Sequence, residues 1–221
     1  MTKRKFGINT DEMTTEVPLL DAGLYTATIY KAGVIGRDNK QFLTIGKEMV
    51  KPKGASEKEW TGEWTIQGGF MYQVVITSKR AIKRLGQDEP KLSGWIAPKF
   101  NPDGSMDNCP ALMQVFKVFD IDAKEFQQEI MEDYDYDEDI KVPTELESCE
   151  YAVELCNYLE LYREYFAELG RRINNEDIQV SVVKEPHYKN KSVMVNNIPT
   201  DWGNFCGFIE IGDATPDDLE D

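Results

Sequence analysis

Aromatic rings and cations recur together at three places in this sequence, and the combination suits one chemistry: holding a polyanion whose flat bases need surfaces to stack on. Tyr30 and Phe42 stand on the polar sides of two alternating segments, and Trp60, Trp64 and Tyr72 follow in a third. Arg80, Lys83 and Arg84 lie within one short segment, where three- and four-residue spacing puts them on one helix face. Further on, Lys184, Lys189 and Lys191 surround Tyr188, with His187 beside it. Such mixtures grip a single nucleic-acid strand because cations follow the phosphates and each ring-to-base stack contributes about 1–3 kcal/mol. Plainer readings stand beside this one. Trp64 and Phe70 serve equally well as core, and the basic segment as a solvated helix surface.

Other chemistries find less support. Gly46 and Lys47 lack the upstream glycine of a phosphate-cradling loop, because position 41 is Gln41. The chain has one histidine, His187, without an evident nucleophile, and its four cysteines form no C-x-x-C pair, so neither a nucleophilic device nor zinc is expected. Cys149 and Cys156, seven apart, read as one buried helix face of reduced thiols. Asp133, Asp135, Asp137 and Asp139 alternate as in a calcium loop, but Glu138 stands where its sharp-turn glycine belongs and Thr144 where its bidentate glutamate belongs. The expectation is a binding protein with no catalytic residues, no cofactor and no metal.

A net charge of −15 argues at first against a phosphate-binding role. The charge is segregated, however. Residues 1–100 carry 16 Lys and Arg against 11 Asp and Glu, residues 101–170 carry 4 against 19, and residues 171–221 carry 5 against 10. With 221 residues, of which 41% are hydrophobic, one substantial core can form. Met1 to Phe6 leads into polar sequence instead of an apolar leader, and no run is long enough to span a bilayer, so a cytoplasmic protein away from membranes is expected.

Residues 1–22 lack periodicity and read as an N-terminal arm. From Gly23, Tyr25, Ala27 and Ile29 alternate with Thr26, Thr28 and Tyr30, the period of a half-buried strand. A turn from Gly33 to Asn39 leads to a second strand around Phe42 to Ile45, and 51–59 reads as a loop. Trp60 to Thr77 reads as a strand bent at Gly68-Gly69, the way small barrels turn corners. A short basic helix is predicted over 78–86, between Ser78 and Gly86, then loop over 87–110 and a buried apolar run from Leu112 to Ile121. The segment Glu129 to Asp139 holds seven acids and two tyrosines and reads as a solvated insertion around Glu132 to Asp139. The strongest helical pattern runs from Glu145 to Leu169, with Gly170 as its stop. A strand with Ile178, Val180 and Val182 on one side then turns at Pro186 to Asn190 into Ser192 to Ile198. The fold class expected is mainly β with helical insertions: a five-stranded OB-fold-like barrel with a long helix before the closing hairpin. Its domain would span 23–209 with an acidic helical insertion at about 101–170, and 210–221 would be an acidic disordered tail.

The pattern resembles the single-stranded DNA-binding proteins of tailed bacteriophages, the OB-fold class with acidic tails. The resemblance rests on Gly23 to Ile29, Phe166 to Gly170, the hairpin Val180 to Lys191 with Asn196 to Ile198, and the tail Asp217 to Asp221. It implies single-stranded DNA as ligand, a role in phage DNA replication or recombination in the host cytoplasm, and recruitment of partner proteins through Asp213, Asp217, Asp218, Glu220 and Asp221. The family tail commonly ends on an aromatic residue, where this sequence has Asp221. Two other classes remain open: a virion structural or adaptor protein, whose rings would meet protein, and a metal-dependent nuclease or DNA-mimic inhibitor. A homo-oligomer is compatible with all of these.

Overall fold

A computed structural model describes residues 18–33, 43–50, 61–187, 189–199 and 203–211. The elements in chain order are β1 (Gly23–Gly33), β2 (Thr44–Val50), β3 (Thr61–Gln67), β4 (Phe70–Ile76), α1 (Lys79–Leu85), β5 (Lys91–Ile96), α2 (Pro110–Val118), α3 (Ala123–Asp133), a 3-10 turn (Thr144–Leu146), α4 (Ala152–Ile173), β6 (Asp177–Pro186), β7 (Met194–Asn197) and β8 (Phe208–Ile209).

Five strands form a nearly closed antiparallel barrel sheet in the order β5-β4-β1-β6-β7, with β5 and β7 approaching each other at the seam. α4 falls between the third and fourth barrel strands, where an OB-fold carries its helix, so the architecture is an OB-like barrel with helical insertions. The hairpin of β2 and β3 forms a separate two-stranded sheet, inserted between the first and second barrel strands. β8 adds to β6 through Gln179 and Val180, beyond the stretch that pairs with β7.

The alternation of β1 and β6 appears in the register as read: Ala27 faces Ile178 and Tyr25 faces Val180, all on the core side, with Tyr25 half-buried against it. Ile29, Val74, Ile76, Ile96, Val180 and Phe208 fill the barrel, and Phe166, Leu169 and Ile173 of α4 close it against Phe70 and β1. Phe70 is therefore core. The turn between β3 and β4 needs Gly68, whose φ is 108°, and Gly69, where a Cβ would lie 2.0 Å from the Ile96 carbonyl oxygen. α1 matches its signals: the Ser78 hydroxyl accepts the Ala81 N–H, and Gly86 takes the left-handed conformation at the other end.

Several expectations need correction. The stretch 87–110 is not all loop, because Lys91–Ile96 is the third barrel strand. The long helix starts later and ends later than its periodicity suggests, and Gly170 lies inside it; the stop is Asn174, followed by Asn175 at φ 69°. The helix packs Leu155, Leu159, Phe166, Leu169 and Ile173 against the barrel core, while its Ala152 and Cys156 join Leu146 in a second, small cluster. The apolar run around Leu112 to Ile121 resolves into α2 and the cap of α3 on Asp122. The acids of 132–139 are exposed as expected, yet the segment is tied down, since Asn157 bonds to both Tyr134 and Asp137. All four cysteines are free, with Cys156 buried on α4 and half-buried Cys149 packed in the same small cluster as Leu146. Among the described residues no helix is long and apolar enough to cross a membrane.

Candidate nucleic-acid interface

The outer face of β1, β4 and β5 is built by three cross-strand rows. Thr28 pairs with Val75 and Val75 with Lys91; Lys31 with Gln73 and Gln73 with Ser93; Gly33 with Met71 and Met71 with Trp95. Inward residues alternate with these along β4, where Phe70, Tyr72, Val74 and Ile76 are buried. Within β1, β4 and β5 the rows carry two lysines and no carboxylate, and the first row continues onto β6 with Asp177, which pairs with Thr28 and accepts its hydroxyl at 2.6 Å. The register of β1 slips between Ile29 and Lys31, so Tyr30 is the extra residue of a bulge. Bulges re-aim side chains, and this one stands Tyr30 on the surface, 52% exposed. The Lys91 ammonium lies 3.8 Å from the Tyr30 ring centroid, a cation–π contact, and also 3.8 Å from the Glu89 carboxylate. At the other end of the face Trp95 is 41% exposed, and the Gln73 amide donates to the Ser93 hydroxyl at 3.4 Å between them. Exposed rings at both ends with cations between them can stack bases and meet phosphates.

The hairpin of β6 and β7 supplies the second group of cations. Its turn is held by the His187 Nδ1, which accepts the N–H groups of Lys189 and Asn190 at 3.3 Å, and by the His187 N–H, which donates to the Val193 carbonyl at 2.7 Å. Lys184, Lys189 and Lys191 are exposed there. Lys184 and Lys91 line one groove of about 990 Å³ between β5 and β7, which connects the hairpin to the edge of the outer face.

The residues read from sequence divide accordingly. Tyr30, Lys184, Lys189 and Lys191 lie at the face or at the hairpin beside it. Phe42, Trp60, Tyr188 and the tail acids Asp213, Asp217, Asp218, Glu220 and Asp221 fall outside the described residues. Trp64 belongs to the β2–β3 hairpin: it is half-buried against Leu146, Ala152 and Cys156, and Lys47 across the hairpin sits 5.0 Å from its ring centroid. Tyr72 is a correction. It points into the barrel, 1% exposed, its ring against Phe208 at 4.4 Å and its hydroxyl donating to the Cys206 carbonyl, so no base can reach it. Burial and the neighbouring Cys206 push its hydroxyl well above the ordinary tyrosine range. Arg80 and Lys83 are exposed on α1, but Arg84 is engaged in structure: its Nε donates to the Leu19 carbonyl at 2.8 Å and its guanidinium pairs with Asp21.

Lys31, Lys91 and Trp95 were not singled out by sequence reasoning. The signal was present in Lys91, Ser93 and Trp95 alternating with Leu92, Gly94 and Ile96, but Pro90, Gly94 and Pro98 gave the segment the composition of a loop. No group of three or more His, Cys, Asp or Glu among the described residues is placed to hold a metal ion. No family model, no curated protein and no solved structure matches this chain.

Proposed function

We propose that this protein binds single-stranded DNA across the outer face of β1, β4 and β5, with little sequence preference. The observation that carries the reading is the placement of exposed Tyr30 and Trp95 on one sheet face together with Lys31 and Lys91. Stacking is indifferent to base identity, because every base has a π-face, and lysines read phosphate charge alone. The OB-like architecture adds support, since that fold offers the face of its second and third strands, here β4 and β5, together with the loops after strands one and four, to oligonucleotides. Those loops correspond to the inserted β2–β3 hairpin and to the basic turn between β6 and β7. A setting in phage replication or recombination, and recruitment of partners through the tail acids, rest on the sequence resemblance alone.

The test is a titration of the full chain with oligo(dT), followed by tryptophan fluorescence at low salt. Quenching is expected, lost on Trp95→Ala with Tyr30→Ala and kept on Trp64→Phe, because Trp64 is packed away from this face. An absence of binding at low salt, or binding indifferent to the Tyr30 and Trp95 substitutions, would overturn the proposal. Binding to duplex DNA and RNA in parallel tests ligand class, because contacts to the 2′-hydroxyl separate RNA from DNA.

A further inference from the structure

The seam of the barrel is a basic channel in an acidic protein. β5 and β7 are each hydrogen-bonded on one side only, and between them lies the groove of about 990 Å³. Its walls carry Arg84, Lys91 and Lys184 and no carboxylate, in a chain whose net charge is −15. Beside these cations stand Leu92, Val193 and Met194, of which Val193 and Met194 are 47% and 40% exposed. Cations next to exposed apolar surface in one concavity suit a ligand that is anionic along its length and carries flat apolar groups at intervals.

The carboxylates nearby do not cancel all three cations. Asp21 pairs with Arg84, whose Nε also donates to the Leu19 carbonyl at 2.8 Å, so Arg84 serves the wall itself. Glu89 lies 3.8 Å from the Lys91 ammonium, which also sits over the Tyr30 ring. Glu185, next to Lys184 on β6, instead accepts the Asn197 amide. Lys184 therefore has no carboxylate partner among the described residues. Lys91 belongs at once to the outer face and to the groove, so it marks where one continues into the other.

An added β-strand is the other extended occupant that such a seam could take. At Asn196 its place is held by the chain itself: the Leu20 N–H donates to the Asn196 side-chain oxygen at 2.7 Å, and the Asn196 amide donates back to the Leu20 carbonyl at 2.9 Å. What the groove offers instead is side-chain surface, ammonium groups beside aliphatic ones, which meets phosphates and bases without a main-chain ladder. We propose that the groove is a second binding subsite for single-stranded DNA. The strand leaves the outer face at Lys91 and passes between β5 and β7, with its phosphates toward Lys184 and its bases against Val193 and Met194. The inference rests on the DNA-binding reading above, though its contacts are separate from Tyr30 and Trp95.

The test places a photoreactive benzophenone side chain at position 193 of the full chain in place of Val193, irradiates it with oligo(dT) at low salt, and identifies the adducts by mass spectrometry. A protein–DNA adduct at position 193 is expected. Adducts to protein alone, within the chain or between two copies, would overturn the proposal, as would no adduct under conditions where oligo(dT) binds. A Lys184→Ala, Met194→Ser variant, changed at two exposed side chains, adds a second measurement. Across oligo(dT) lengths from about 4 to about 16 nucleotides, its loss of affinity relative to the parent should grow from none to about tenfold. Equal affinity at every length, or the same loss at every length, would overturn the subsite. If binding depends on Tyr30 and Trp95 but no adduct forms, the groove falls and the outer face stands. If the adduct forms and binding is indifferent to Tyr30 and Trp95, the groove stands and the outer face falls. If no oligonucleotide binds at low salt, both fall.

Discussion

The Cα of Gly170 on α4 faces the carbonyl of Ala32 on β1 so closely that a methyl group there would lie 2.3 Å from its oxygen and 2.6 Å from its carbon. The obstacle is backbone, which cannot swing aside as a side chain can. Gly170→Ala would gain about 1 kcal/mol of helix propensity, but overpacking at a fixed contact costs about 1–3 kcal/mol. Net loss of stability is expected, read as a lower midpoint in chemical denaturation. A raised midpoint would mean that α4 can lift from β1.

The same glycine illustrates what a sequence hides. Its position after a long apolar periodicity reads as a helix stop, whereas the cause of the glycine is a strand 138 positions earlier, in Ala32. Gly94 has a similar history: a Cβ there would meet the Tyr72 ring at 2.4 Å, so the residue that made β5 look like a loop is the one that makes room for a core tyrosine. The facing of Tyr72 was hidden for another reason. Both sides of β4 carry apolar residues, Met71 and Val75 as well as Val74 and Ile76, so alternation gave no contrast between inside and outside. β1, β6 and α1 were legible because their polar and apolar sides differ and their caps are local. The candidate site was legible at Tyr30 and at the hairpin cations; Trp95 and Lys91 were hidden with β5.

Lys31 and Lys91 should report on phosphate contact through salt. For single strands, log K against log salt has a slope of about −0.7 per neutralised phosphate. Lys31→Ala and Lys91→Ala should each make the slope shallower by about that amount and weaken binding alike for oligonucleotides of any sequence. Fluorescence titrations at several salt concentrations measure this. Unaltered slopes would remove both lysines from the interface.

Tyr72→Phe separates core from site. The hydroxyl is buried and bonds to the Cys206 carbonyl, so its removal should cost about 1 kcal/mol of stability. Oligo(dT) affinity at low salt should stay as in the parent. A selective loss of affinity at unchanged stability would return Tyr72 to the binding surface.

Alkali should unfold this protein cooperatively. Burial holds the Cys206 thiol up to about 12 from an ordinary 9.0, and the Tyr162 hydroxyl up to about 12 from an ordinary 10.0, with Tyr72 and Tyr165 shifted the same way. These groups are neutral when protonated and their folded values exceed their unfolded ones, so the folded state binds the protons more tightly. Their contribution is complete below about pH 9 and is lost as pH rises from there toward 12. Thermal melts between pH 8 and 11 should show the melting temperature falling above about pH 9, and Tyr72→Phe should flatten the fall.

Asn157 should govern the acidic segment that follows α3. This side chain, 2% exposed, accepts from the Asp137 N–H at 3.0 Å and from the Tyr134 hydroxyl at 2.9 Å, and donates to the Asp137 carbonyl at 2.9 Å and the Val153 carbonyl at 3.1 Å. The segment needs this anchor because its own side chains are acids that repel one another and bury little. Asn157→Ala removes four bonds at once and leaves buried partners unsatisfied, at a cost of about 1–3 kcal/mol. Limited proteolysis should then cut between Asp133 and Val142 at protease concentrations that leave the parent intact, while the barrel fragments stay folded. Cutting elsewhere first, or no change in susceptibility, would show that the acids hold their conformation without Asn157.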